Sequence, residues 1–102
     1  MSSPNGSLRY HVSVSKKVAA EAKGLGKETA EAGLSEAFIA ALEQINARLK
    51  RDPDVFGEPR YTLKHLGLQV RIAIISPCVV NFAVNLQART VFVYGFRLLL
   101  PV

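Results

Sequence analysis

The second half of this sequence has no acidic residues. After Glu58 the chain contains neither aspartate nor glutamate, whereas residues 1–58 contain all eight acidic side chains and eight of the 13 basic ones. The whole formal net charge of +5 therefore belongs to residues 59–102, which hold Arg60, Lys64, Arg71, Arg89 and Arg97. Such an imbalance predicts a one-sided positive surface, whose natural partners are polyanions. The alternative is that these charges keep a β-sheet from aggregating.

Several other features are scarce, and each scarcity excludes a class of protein. The single cysteine, Cys78, leaves no internal disulfide and fits a reducing compartment. The chain has only two histidines, His11 and His65, and one cysteine, and residues 59–102 contain no carboxylate side chain. This small number of potential ligands argues against a zinc site. The longest apolar stretch, 70–84, is interrupted and shorter than the roughly 20 residues of a membrane helix. We therefore expect a cytoplasmic protein with no metal, no cofactor and no membrane partner.

The length of the chain sets its domain organisation. A chain of 102 residues, 49% of them apolar, has enough material for one domain with one modest core. Residues 1–7 are polar and include Pro4 and Gly6, which favours a flexible N-terminal tail. Residues 8–102 are then expected to form the single domain.

A short strand and two helices are predicted in the first half. Residues 8–15 alternate strictly between apolar and polar, which indicates a half-buried strand, and Ser15 can cap a helix over 16–31. Glycine weakens that helix, so we expect a break or bend near Gly24. The second helix can be capped by Ser35 and shows an apolar stripe formed by Phe38, Ile39, Leu42, Ile45 and Leu49. Few residues separate the two helices, which predicts an antiparallel hairpin.

Three strands are predicted in the second half, after a loop through 56–59. Segments 68–75 and 79–86 alternate between two faces, while 90–98 is apolar on both faces and therefore typical of a central or covered strand. Short connections make the three strands an antiparallel meander. The sequence thus predicts an α+β fold of the order β-α-α-β-β-β, in two layers, with the helix hairpin packed on one face of an antiparallel sheet.

The basic half also holds side chains that could cleave RNA without a metal. Attack by a 2′-hydroxyl needs a base, an acid and cations near the phosphorane, and these groups are supplied by Arg60, Lys64, His65, Arg71 and Tyr94. Each has a simpler interpretation. Lys64 and His65 could be a pair of solvated side chains in a loop or at the start of a strand. Tyr94 could be an aromatic residue that packs beside Phe92 and Phe96. Arg71, which projects from the strand face opposite Val70, is also typical of a solvated or carboxylate-paired arginine.

Two further sets of residues are candidates for binding. The candidate nucleic-acid contacts are Arg60, Lys64, Arg71, Arg89 and Arg97. Arg89 lies near a predicted turn, so the alternative is that it is simply exposed to solvent. The candidate partner-binding residues are Leu98, Leu99 and Leu100, since an exposed apolar segment marks an interface. These leucines could equally complete the core at the end of the last strand.

The order of elements and several segments resemble the RelE/ParE toxin superfamily. The resemblance consists mostly of apolar spacing and covers about residues 8–98. It is carried by segments 10–15, 36–45, 49–53, 56–60, 79–84 and 89–93. Within these segments, Phe56 and Gly57 precede a basic position at Arg60, and 79–93 is similar to the final hairpin of the family.

The resemblance implies the toxin of a type II toxin–antitoxin pair, which an antitoxin protein wraps and neutralises. RelE-type members cut mRNA on the ribosome and ParE-type members poison DNA gyrase. RelE-type enzymes usually carry an arginine early in the penultimate strand, where this chain has Cys78, Val79 and Val80, and a tyrosine after the last strand, where this chain has none. These departures favour an alternative hypothesis, a catalytically silent RelE-fold binding module for a protein or nucleic-acid partner. A third hypothesis is a homodimer that pairs through the apolar last strand.

Overall fold

The computed structural model describes residues 9–99, which fold into two helices and a five-stranded sheet. In chain order the elements are β1 (His11–Val14), α1 (Lys16–Glu31), α2 (Ser35–Arg51), β2 (Glu58–Leu63), a 3-10 helix (Lys64–Leu66), β3 (Leu68–Ile75), β4 (Cys78–Asn85) and β5 (Thr90–Leu98). This architecture confirms the predicted α+β class, in which a helix hairpin packs against a mostly antiparallel sheet. The predicted tail at 1–7, residue 8 and residues 100–102 lie outside the described residues.

The sheet has the strand order β1-β5-β4-β3-β2. Strands β3, β4 and β5 form the predicted antiparallel meander, and β2 adds to it antiparallel to β3. Strand β1 lies parallel to β5. Strand β5 is therefore flanked on both sides, by β1 and β4, which agrees with its apolar residues on both faces.

The strand β2 differs from the sequence prediction, which places a loop at its start and only three strands after the helices. Its six residues include Pro59, and all of them but Leu63 are exposed. Its pairing with β3 shifts by one residue between Pro59 and Tyr61. Because an edge strand buries little of its surface, it carries only a weak hydrophobic pattern. The observed order is thus β-α-α-β-β-β-β.

The two helices begin close to the predicted positions. The Ser15 hydroxyl caps α1 as predicted, since it accepts a hydrogen bond from the backbone N–H of Val18 at 3.1 Å. The predicted break near Gly24 is wrong, because α1 continues through it to Glu31. A helical glycine costs only about 1 kcal/mol relative to alanine, which tertiary packing can offset. Ser35 is the first residue of α2 rather than its cap, and no side chain caps that helix.

The apolar stripe of α2 forms one core with the sheet. Phe38, Ala41, Ile45 and Leu49 are buried. They pack in one cluster with sheet residues that include Ala73, Cys78, Val80, Phe82, Val84, Val91 and Val93. Burial of each large apolar side chain stabilises the fold by about 1.5–3 kcal/mol. The helical spacing assigns Ile39 to the same stripe, but its side chain is 56% exposed. The buried face of α2 centres instead on Phe38, Ala41, Ile45 and Leu49.

Alternation along each strand gives the sheet two faces. The helix face carries the side chains of the core together with Arg71, which shares the parity of Ala73 on β3. The opposite face, here called the open face, carries Tyr61, Val70, Ile72, Val79, Asn81, Ala83, Phe92, Tyr94, Gly95 and Arg97. Both described helices lie on the other side of the sheet.

Candidate nucleic-acid interface

The open face presents aromatic side chains that remain accessible. Tyr61 is 56% exposed, Phe92 43% and Tyr94 52%, whereas Val70 and Ala83 are buried. Register places Tyr61 opposite Val70, Val70 opposite Ala83, and Ala83 opposite Phe92, so these residues form one row across four strands. Val79 on the same face is also fully buried, although both described helices pack on the other side of the sheet. The open face therefore combines buried aliphatic residues with exposed aromatic rings.

Arg60 and Tyr94, two of the predicted catalytic candidates, occupy comparable positions in their strands. Arg60 is the extra residue at the register shift in β2, and Tyr94 is the extra residue where the pairing of β5 with β4 shifts. An extra residue in a strand re-aims its side chain, and such irregularities are over-represented next to active sites. The backbone thus sets both side chains apart from the regular alternation of the sheet.

The Tyr94 phenol lies within electrostatic range of both Tyr61 and Arg60. Burial of the phenol raises the pKa of Tyr94 above its ordinary value of 10.0, Tyr61 raises it further, and Arg60 lowers it. The structure therefore places Arg60 and Tyr61 within electrostatic range of Tyr94, although the sequence pattern does not indicate Tyr61. These three residues are here called the open-face cluster. Tyr61 is missed because β2 is not predicted as a strand, so no face can be assigned to it.

A small polar area adjoins the cluster. Gly95 lies opposite Asn81, and a Cβ at Gly95 would come 3.2 Å from Nδ2 of Asn81. The missing side chain therefore leaves room for the Asn81 amide beside Tyr94. An amide offers both donors and an acceptor. Together with the Tyr94 phenol and the Arg60 guanidinium, it could contact a base edge or a phosphate.

Arg71 does not reach the open face. It is only 5% exposed, and its guanidinium donates hydrogen bonds to the backbone oxygens of Phe56 (Nε, 2.9 Å) and Gly57 (Nη2, 3.0 Å) and to Oε1 of Gln69 (Nη1, 3.0 Å). The predicted orientation away from Val70 is confirmed, but the loop at 56–57 covers that side. The interpretation of Arg71 as a solvated or carboxylate-paired side chain is therefore wrong. Its occupied donors also argue against contact with a substrate or a nucleic acid.

The loop that Arg71 braces is held closely against β3. Gly57 has a φ of +72°, and a Cβ there would lie 2.8 Å from a side-chain carbon of β3. Phe56 stacks on Phe82 with 5.9 Å between the ring centroids. Because β2 begins directly after this loop, the Arg71 brace also fixes the point at which Arg60 enters the sheet.

The other predicted basic residues are distributed over three places. Lys64 and His65 are exposed on the 3-10 helix that joins β2 to β3. The guanidinium carbon of Arg89 lies 5.5 Å from the centroid of the Tyr10 ring, at a residue with a left-handed φ of 49°. Arg97 is exposed on the open face. Of the predicted site residues, the open face therefore holds Arg60, Tyr94 and Arg97.

The three terminal leucines do not share one environment. Leu98 packs against the core and is partly buried, whereas Leu99 is 50% exposed. The backbone N–H of Leu99 donates to the carbonyl oxygen of Pro77 at 2.7 Å. Leu100 lies outside the described residues. Leu98 therefore contributes to the core, and binding of a partner by Leu99 stays a prediction.

The described part of the chain offers neither a metal site nor a membrane span. No group of histidine, cysteine and carboxylate side chains within 9–99 is arranged to hold a metal ion. No helix in the same range is long and apolar enough to cross a bilayer. Comparison with known proteins finds no matching protein family, curated protein or solved structure. Membership of the RelE/ParE superfamily therefore stays a prediction.

Proposed function

We propose that this protein is the toxin of a type II toxin–antitoxin pair, of the RelE/ParE kind, and that the open face is its working surface. The observation that carries the proposal is the convergence of Arg60, Tyr61 and Tyr94 on a sheet face that the two helices leave uncovered. The positive charge of residues 59–102 supports a polyanionic target. A cognate antitoxin would neutralise the protein by covering it.

Single-stranded RNA fits the open face well, which favours mRNA on the ribosome over DNA gyrase as the target. The rings of Tyr61, Phe92 and Tyr94 offer flat surfaces for base stacking, which contributes roughly 1–3 kcal/mol per base. Arg60 and Arg97 can pair with phosphates through charge-assisted hydrogen bonds. A gyrase-directed toxin would use the same basic face against protein or DNA.

Metal-independent cleavage of RNA would use groups that the chain supplies. The 2′-hydroxyl attacks the adjacent phosphorus, a base accepts the hydroxyl proton, and the 5′-oxygen leaves with a proton from an acid. The phenol of Tyr94 carries a proton at neutral pH, as tyrosine ordinarily does, and can serve as the acid. Arg60 can stabilise the charge on the phosphorane. His65, the candidate base, is exposed on the 3-10 helix that follows β2 and not on the open face, so the RNA would have to extend beyond the open face to reach it.

The second candidate function is a catalytically silent binding module on the same scaffold. A specific observation favours it, because the three hydrogen bonds of the Arg71 guanidinium all go to protein atoms. The strand half therefore contributes one fewer cation to a reaction than its sequence offers. Such a module would bind a protein or nucleic acid through the same face without breaking a bond.

Tightly induced expression in a bacterial host, with viable cells counted over time, tests the toxin function. We expect killing by the wild type and loss of killing in Arg60→Gln and Tyr94→Phe. The matched control is Lys27→Gln, which removes a cation from the exposed side of α1 and should still kill. Circular dichroism of each purified variant checks that the fold is intact.

The same experiment separates the alternatives. If translation stops before DNA topology changes, the ribosome is the target, and the reverse order indicates gyrase. Normal growth with a folded wild-type protein would reject the toxin and favour the silent module. Killing that is unchanged in both Arg60→Gln and Tyr94→Phe would reject the open face as the working surface.

A further inference from the structure

A cleft opens at the edge of the sheet where β1 passes into α1. Its volume is about 290 Å³, and it is lined by residues of β1, of the first turns of α1 and of β5. This volume lies near the lower end of the roughly 300–1,000 Å³ of ligand pockets, which fits a small molecule. Val18 and Val93 line the cleft and are 4% and 7% exposed, so they give it an apolar floor.

The strand wall of the cleft is aromatic. Phe92 and Tyr94 both line it, and their side chains are 43% and 52% exposed. Exposed rings of this kind offer a surface on which another ring can pack in an offset or edge-to-face arrangement. Tyr94 also belongs to the open-face cluster, so the cleft adjoins that cluster without including Arg60 or Tyr61. The apolar part of a ligand would therefore face β5.

The helix wall of the cleft carries one charge of each sign. Lys17 and Glu21 both line the cleft and are exposed, and they lie one turn apart on α1. Residues four apart are about 5–6 Å from each other on a helix surface, within reach of a mutual ion pair. Among the described residues, neither side chain forms an ion pair, with the other or with a third residue. Both charges are therefore available to a ligand in the cleft.

Two hydroxyl groups make one end of the cleft a donor end. Ser13 and Ser15 line it together with Lys17, where β1 gives way to α1. The Ser15 oxygen accepts a hydrogen bond from the N–H of Val18 at 3.1 Å, and a hydroxyl that accepts can still donate its own proton. The carboxylate-bearing residue, Glu21, lies about 6 Å further along the helix. An anionic group of a ligand fits the first end, and a cationic group fits the second.

We propose that the cleft binds a free α-amino acid with an aromatic side chain. Its carboxylate pairs with Lys17 and its ammonium with Glu21, while its ring packs on Phe92 and Tyr94. A zwitterion satisfies both charges of the helix wall, whereas the phosphate of a nucleotide would be repelled by the carboxylate of Glu21. The inference does not depend on the proposed function, since it requires neither a nucleic acid nor an antitoxin.

Three small molecules of similar shape test the proposal. Phenylalanine carries both charges, phenylalaninamide lacks the carboxylate, and hydrocinnamate lacks the ammonium. Titration of the isotope-labelled full chain, followed by NMR of the backbone amides, should show that phenylalanine binds, with the largest shifts at residues 13–21 and 92–94. Each analogue should bind roughly fivefold more weakly, because it loses one ion pair. No binding of phenylalanine, equal binding of the three compounds, or largest shifts elsewhere in the chain would overturn the proposal.

Two variants that each remove one charge test the orientation of the ligand. Lys17→Gln should abolish the preference for phenylalanine over phenylalaninamide and keep the preference over hydrocinnamate. Glu21→Gln should have the opposite effect. The matched controls are Lys16→Gln and Glu28→Gln, which remove the same charges from exposed positions of α1 outside the cleft and should keep both preferences. Preferences that persist in both cleft variants, or that are lost equally in the controls, would overturn the proposal.

Adenosine monophosphate tests the other occupant that the aromatic wall could accept. Its base could pack on the same rings, but its phosphate would meet the carboxylate of Glu21. We expect it to bind more weakly than phenylalanine, and Glu21→Gln should narrow the difference. Adenosine monophosphate that binds at residues 13–21 and 92–94 more tightly than phenylalanine would overturn the proposal in favour of a nucleotide.

Discussion

Two arginines on neighbouring strands show how differently the two faces of the sheet use a positive charge. Arg71, on the helix side of β3, is buried, and each of the three nitrogens of its guanidinium donates a hydrogen bond to a protein oxygen. Arg60, at the irregularity of β2, is exposed and acts on the Tyr94 phenol through space. The sequence presents them as two members of one basic cluster. The fold makes one of them a brace and leaves the other available to a ligand.

The largest expected effect comes from removing the buried arginine. Arg71→Met should lower the free energy of unfolding by about 4 kcal/mol, because the carbonyl oxygens of Phe56 and Gly57 lose their buried donors. Urea denaturation followed by circular dichroism measures the change. Arg60→Gln is the matched control on the open side and should change the free energy by less than about 0.5 kcal/mol. Similar losses in the two variants would contradict the division of roles.

A smaller effect is expected from the loop that Arg71 holds. Gly57→Ala should lower the free energy of unfolding by about 3 kcal/mol, because a left-handed φ and a Cβ pressed against β3 both oppose it. Gly33→Ala has a similar φ of +74° but no neighbouring atom within 4 Å, so it should cost only about 1 kcal/mol. Thermal and urea unfolding of both variants measure the difference. Equal costs would show that the loop yields to the added carbon.

The smallest expected effect is a change in the titration of Tyr94. Arg60→Gln should raise the pKa of Tyr94 further, because a nearby cation stabilises the tyrosinate and its loss favours the protonated phenol. Tyr61→Phe should lower the same pKa, since Tyr61 raises it. Tyrosinate absorbance between pH 8 and 12, read against Tyr94→Phe, isolates the transition. A pKa of Tyr94 that does not respond to Arg60→Gln would show that Arg60 exerts no electrostatic effect on the phenol.

The periodic segments of the sequence were enough to predict most of the fold. The helices and the strands β3 to β5 carry long apolar patterns, so their type, order and antiparallel pairing follow from the residues. Strand β2 is not predicted, because it is an exposed edge strand with Pro59 near its start. That omission hides Tyr61, whose place on the open face depends on pairing with β3. The hydrophobic pattern of a segment reflects how much of the strand is buried, so an exposed edge strand gives only a weak pattern.

The candidate site was predictable in its residue types but not in their assembly. Alternation along β3 assigns Arg71 to the side opposite Val70, as observed. It gives no information that the loop at 56–57 folds over that side and takes up the guanidinium. Arg60 and Tyr94 lie at one irregularity in each of two strands that are not adjacent, and they interact through space. Register shifts of this kind arise from tertiary packing, which a single sequence does not encode locally.

The parallel pairing of β1 with β5 has a consequence for the order in which the chain can fold. These strands come from opposite ends of the described chain, and β5 is the only strand that β1 contacts within it. During synthesis, β1 leaves the ribosome before β5 and cannot enter the sheet until β5 has emerged. Such late, long-range pairing carries a large loop-closure cost and slows folding. The meander and the helix hairpin can assemble beforehand, so docking of the N-terminal strand is the step that closes the domain.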